Sequence, residues 1–163
     1  MRSDEREEII EYAKRLAKEL KIRTPILYFH PSQAMTVMPE RGPAMIFLHE
    51  LSPEELAHEM GHAYLFQKYP WITDITDVLY RMRPYLMGLG FGFPLAIKGL
   101  KLKSLPGSLL TALGAYGITT IPKLLEEYVA TYKGVKALER LGYKVSPEFW
   151  QKERQYLMSY AIP

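Results

Sequence analysis

The chain contains no cysteine. Disulfides, thiolate metal sites and cysteine nucleophiles are therefore excluded, and any metal ion must be held by histidine nitrogen and carboxylate oxygen. A cysteine-free chain also suits a reducing compartment. A dense cluster of one charge is missing too. Lys and Arg outnumber Asp and Glu by 21 to 18, a formal charge of +3 spread along the chain. With no basic arm to grip a phosphate backbone, nucleic acid is not an expected partner. No apolar run reaches the ~20 residues that a transmembrane helix needs. The opening Met1-Arg2-Ser3-Asp4-Glu5-Arg6-Glu7-Glu8 lacks the apolar core of a signal peptide, so a cytoplasmic location is expected. Internal repeats, linkers and low-complexity segments are absent as well. A length of 163 residues suits one domain with its own core.

What is present is a series of elements with clear start and stop signals. Ile9, Ile10, Ala13, Leu16, Ala17 and Leu20 follow the three-and-four spacing of an amphipathic helix over residues 3–20, with Ser3 as its cap. Pro25, Pro31, Pro39 and Pro43 divide three short apolar runs, 26–29, 34–38 and 44–48, which read as strands of one small sheet. Ser52-Pro53-Glu54-Glu55 is a helix start: Ser52 caps, Pro53 takes the first helical position and Glu55 stands where a capping-box partner belongs. That helix should end near Tyr69, before Pro70. A further helix is predicted over 74–87, another from Pro122 to about Leu141 closed by Gly142, and a last one over 147–160 capped by Ser146. The fold class expected is α+β: a three-stranded sheet with an N-terminal helix and several later helices.

His58 and His62 stand four residues apart on the helix that Ser52 opens. One helical turn then separates two imidazoles on one face, where both can bind one zinc ion. Glu59 adjoins the first of them. A zinc ion lowers the pKa of a water to about 7, and a carboxylate at Glu59 can take that water's proton and pass it to a leaving amine. The residues around the motif, Leu56, Ala57, Met60, Gly61, Ala63 and Tyr64, carry no charge, as a buried metal helix requires. Chance placement of two histidines four apart is the competing explanation.

A catalytic zinc normally has three protein ligands. Here His30, His49 and a later carboxylate are the candidates for the third. Glu127 shares its helical face with Leu124, Ala130, Thr131, Gly134 and Leu138, a small-residue stripe suited to close packing on another helix. Glu126 shares its face with Lys123, Lys133 and Arg140 and reads as solvated. Glu127 is therefore the expected third ligand, with a structural ion pair to Arg81 or Arg83 as the alternative role.

Two stretches, Leu56-Ala57-His58-Glu59-Met60-Gly61-His62-Ala63 and Glu127-Tyr128-Val129-Ala130-Thr131, resemble the gluzincin zinc peptidases. The second stretch is similar to the Glu-x-x-Ala element of the membrane-associated heat-shock and prenyl-protein endopeptidases and of the neutral zinc metallopeptidases. In its short length the chain is most similar to the minigluzincins. The resemblance implies a single zincin-like domain over 1–163, zinc on His58, His62 and Glu127, Glu59 as the base, and cleavage of peptides or unfolded chains. It also implies that a sheet edge, the 44–48 run, holds extended substrate by strand addition. Where many gluzincins carry an aspartate four residues after the glutamate, this chain has Thr131, so either the groups that orient a ligand histidine are built differently or metal affinity is weaker. No motif identifies an oxyanion partner; Tyr116, Tyr128, Tyr132 and His49 are candidates.

Residues 85–121 form an apolar, Gly-rich stretch broken by Lys98, Lys101 and Lys103. It reads as an inserted helical hairpin. It could complete the core, cover the cleft, touch a membrane surface with its lysines at the headgroups, or mediate a homodimer. The alternative to a working peptidase is a catalytically weak or latent zinc-binding regulatory or membrane-surface domain, closed by the helix over 147–160.

Overall fold

The computed structural model describes residues 3–30, 34–39, 42–49, 52–98 and 105–161, with backbone alone at 3–4, 90–98, 105–108 and 161. The expected cap at Ser3 and the roles expected of Lys98, Lys101 and Lys103 lie outside the described side chains. Five helices and three strands occur among the described residues, an α+β architecture: α1 (Ser3–Leu20), β1 (Ile26–Phe29), β2 (Met35–Val37), β3 (Met45–Leu48), α2 (Pro53–Lys68), α3 (Pro70–Lys98), α4 (Leu105–Arg140) and α5 (Pro147–Ala161).

The chain divides into two compact units, and each has its own logic. The first comprises Met1–Pro70 with Glu127–Leu157. Its sheet has the order β1-β3-β2, with β1 parallel and β2 antiparallel to β3. The run at 44–48 is therefore the central strand, paired on both sides, and not the edge that the resemblance implied. Both rows of its backbone groups are taken, so strand addition would have to use another strand. Ile46 and Leu48 on one face of β3 are fully buried against Leu16 of α1 and Leu56 and Met60 of α2. Each such large aliphatic side chain contributes about 1.5–3 kcal/mol by leaving water.

Helix α2 begins as its signals dictate: the Ser52 hydroxyl accepts the Glu55 N–H at 2.9 Å, with Pro53 next. The Glu55 carboxylate accepts the His49 N–H at 3.2 Å, tying the end of β3 to the start of α2. The last turn of α4 closes on Gly142 at φ +89°, with Tyr143 N–H bonded to the Leu138 carbonyl and Gly142 N–H to the Glu139 carbonyl. This left-handed glycine closure turns the chain so that α5 can follow within the same unit. The Ser146 hydroxyl accepts the Phe149 N–H at 3.1 Å, capping α5 as expected.

The second unit holds Trp71–Glu126 with Met158–Pro163. Here helices run further than their punctuation suggests. Helix α3 starts at Pro70 and continues through Pro84 to Lys98, and α4 starts at Leu105 and continues through Pro122. The hairpin expected at 85–121 is thus the end of one long helix and the start of another, and the glutamate helix begins well before Pro122. A proline inside a helix loses one hydrogen bond at a cost of about 3 kcal/mol, which packing can offset. Many large apolar side chains of this unit face outward, among them Tyr85 at 73% and Leu110 at 70% exposure. No helix among the described residues is long and apolar enough to cross a membrane.

Candidate metal centre

The site lies within the first unit and begins with a close crossing of two helices. A Cβ at Gly61 would overlap the Ala130 carbonyl, and a Cβ at Gly134 would overlap the Ala57 carbonyl. Backbone therefore meets backbone where α2 passes α4, as the small-residue stripe around Gly134 led one to expect. That approach brings Glu127 to the two histidines of α2. Glu127 Oε2 lies 3.1 Å from His62 Nε2 and 3.8 Å from His58 Nε2. One ligand atom from each residue falls within 4.8 Å of the others, and all three residues are buried.

Glu59, 4% exposed, points its carboxylate at β2, where it accepts a 2.6 Å hydrogen bond from the Thr36 hydroxyl. Burial, more than any neighbour, raises its carboxyl to about 7; the Thr36 bond and His62 oppose that shift. Burial likewise lowers His58 to about 4, with His62 adding to the effect and Glu127 opposing it. A neutral imidazole with a free nitrogen is the form a metal ligand requires.

On its other side His58 meets Thr131, which stands where the resemblance has an orienting aspartate, and two α5 residues that the sequence did not single out. Its Nδ1 lies 2.8 Å from the Thr131 hydroxyl, which in turn donates to Glu153 Oε2 of α5 at 3.0 Å. Burial raises the Glu153 carboxyl, against the lowering effect of the Thr131 bond. The Tyr156 ring stands edge-on to the His58 ring at 6.2 Å. A cavity of about 580 Å³ opens in front of His58 and Glu59, lined by His49, Phe149, Lys152, Glu153 and Tyr156 among others. The α5 residues follow the spacing i, i+3, i+4, i+7. That helical face was visible in the sequence, but what it faces was not.

Other expectations need correction. Glu126 is not solvated: it is 4% exposed and accepts from the Thr76 hydroxyl and from Lys123 Nζ, inside the second unit. The basic neighbours taken as marks of a wet face include its own partner, Lys123, which also reaches Asp77 at 3.2 Å. Arg83 is engaged elsewhere, over the Tyr80 and Tyr116 rings and on the Tyr160 carbonyl. Of the four oxyanion candidates only His49 lines the cavity. Tyr116 donates to the Tyr160 carbonyl, and Tyr128 stacks on Tyr132 on an exposed face. His30 donates its N–H to the Leu48 carbonyl, extending the β1–β3 ladder.

Comparison of the chain with protein-family models, with curated proteins and with solved structures returned no match. The donor set itself admits a test of fit. Ligand atoms about 2.1 Å from a tetrahedral zinc lie roughly 3.4 Å from one another. The distances of 3.1 and 3.8 Å to Glu127 straddle that value, and the set of two imidazoles with one carboxylate is one that zinc accepts.

Proposed function

We propose that the chain is a zinc-dependent metallo-endopeptidase of the gluzincin type, holding one zinc ion on His58, His62 and Glu127. The observation that carries the reading is the convergence of these three buried donors within 4.8 Å, with the Glu59 carboxylate next in sequence to His58 and lining the same cavity as that histidine. When bound, zinc supplies Lewis acidity, acidifying a water and polarising the carbonyl under attack. Glu59 takes the proton of the attacking water and returns it to the leaving amine. Thr36 holds the Glu59 carboxylate in place through its 2.6 Å bond. Burial keeps Glu59 close to the pH at which a base can both accept and release a proton. Of the two edge strands, β2 carries Thr36 and so lies beside the carboxylate; it is the strand on which an extended peptide or unfolded protein would add.

A Glu59→Ala variant should keep its zinc and lose peptide hydrolysis by roughly 10²–10⁴-fold. Cleavage at the parental rate would overturn the mechanism. A second reading, a latent or weakly catalytic zinc-binding domain, draws on one observation: α5 supplies Phe149, Lys152, Glu153 and Tyr156 to the cavity wall. Truncation after Gly142, assayed on unfolded casein at saturating zinc, separates the two. Activity gained on truncation favours latency, and unchanged activity removes it. Contacts with a membrane surface or a second copy through residues 85–121 belong to the same proposal. Their support is the outward-facing Tyr85, Leu89, Leu110, Leu113 and Ile118.

A further inference from the structure

The Thr131 hydroxyl sits among three acceptors or donors: His58 Nδ1 at 2.8 Å, Glu153 Oε2 at 3.0 Å and the Glu127 carbonyl at 3.0 Å. A hydroxyl has one proton to give and lone pairs to receive with. The direct distance from His58 Nδ1 to Glu153 Oε2 is 3.6 Å, too long for a good hydrogen bond. His58 therefore reaches this carboxylate only through Thr131. An ionised carboxylate can only accept, so the chain of donors has one consistent direction. His58 Nδ1–H donates to Thr131, and Thr131 donates to Glu153. His58 Nε2 is then left with its lone pair, on the side where Glu127 lies at 3.8 Å.

We propose that Thr131 and Glu153 are positioning residues that fix the ring and tautomer of His58 so that Nε2 is presented to the metal. The inference rests on the metal-centre reading and names the groups that support it. Its physical basis is reach. Thr131 stands one helical turn after Glu127 and so shares its face, but its side chain ends in a hydroxyl. The negative charge that makes the imidazole a stronger ligand comes instead from another helix, through that hydroxyl. Thr131 is 2% exposed, and the Glu153 side chain is 14% exposed, so water competes little for either bond. The alternative proton position, with Thr131 donating to the Glu127 carbonyl one turn back, would leave Glu153 without that donor. It is disfavoured by the stronger pull of a carboxylate.

The test uses the full chain, stripped of metal and retitrated with zinc against a chromogenic chelator, beside nitrogen NMR of the His58 ring in the metal-free protein. Thr131→Val and Glu153→Ala should each weaken zinc binding by about 10–100-fold, while Thr131→Ser should stay near the parent. Thr131→Asp placed on the Glu153→Ala background should recover affinity by bringing a carboxylate directly to His58. The metal-free parent should show the Nδ1–H tautomer, and Thr131→Val a mixture of both. Parental affinity or an unchanged tautomer in a folded Thr131→Val chain overturns the proposal. A parent that binds no zinc overturns the metal reading, and the tautomer comparison still decides the role of Thr131.

Discussion

Glu59 carries its carboxylate against Thr36 at 4% exposure, and burial there raises its carboxyl from 4.5 to about 7 in the metal-free chain. The folded state thus retains a proton that the unfolded state releases between those values. Stability from this group is lost as pH rises through that window, and the full cost is present above pH 7. His58 acts in the opposite sense. Its folded value of about 4 lies below the ordinary 6.5, so stability falls as pH drops through that interval. Comparing variant with parent separates the two. Metal-free Glu59→Gln should be more stable than the parent near pH 8, by on the order of 3 kcal/mol, and the gap should shrink several-fold by pH 5. A gap of equal size at both pH values would mean that the buried carboxylate is not its source.

Individual helices and strands show which signals travel locally and which do not. Ser52-Pro53 and Ser146-Pro147 announced the starts of α2 and α5, and Gly142 the end of α4, because a cap is satisfied within a few residues. Pro122 misled as a helix start, and the helix expected over 74–87 runs from Pro70 to Lys98, since the packing that keeps a helix intact through a proline comes from elsewhere in the chain. The three strands were legible from their apolar runs and proline borders, whereas the order β1-β3-β2 was not. Strand order follows from the pairing of β3 with both β1 and β2, which no local run records. At the crossing of α2 and α4 the small-residue stripe was informative: it turned Glu127 inward and marked Gly134 as a close contact. The same logic failed for Glu126, whose partner Thr76 lies 50 residues away. Gly134→Ala should force α4 off α2, since its methyl would meet α2 backbone, the Ala57 carbonyl first and the Gly61 nitrogen next. The expected result is a loss of ~1–3 kcal/mol of stability together with weakened zinc binding. A Gly134→Ala chain with parental melting and parental zinc affinity would contradict the crossing described here.

Across the whole molecule, the proposed ligands come from α2 and from the part of α4 that belongs to the first unit, while Glu153 reaches them from α5. A ligand bound only by the folded state stabilises it by RT ln(1 + [L]/Kd), about 2.7 kcal/mol at a hundredfold excess over Kd. Chelation should therefore lower the melting temperature, and added zinc should restore it. Hydrogen exchange should slow on zinc addition in α2, in residues 127–140 and in α5. Uniform slowing over all described helices would point away from a localised site. The most direct measurement is metal content and affinity in the parent, Glu59→Ala and Glu127→Ala. The expected result is one zinc per chain in the parent and in Glu59→Ala, with affinity lost or greatly weakened in Glu127→Ala. A parent without zinc, or a Glu127→Ala chain that binds it as the parent does, would contradict the three-ligand centre.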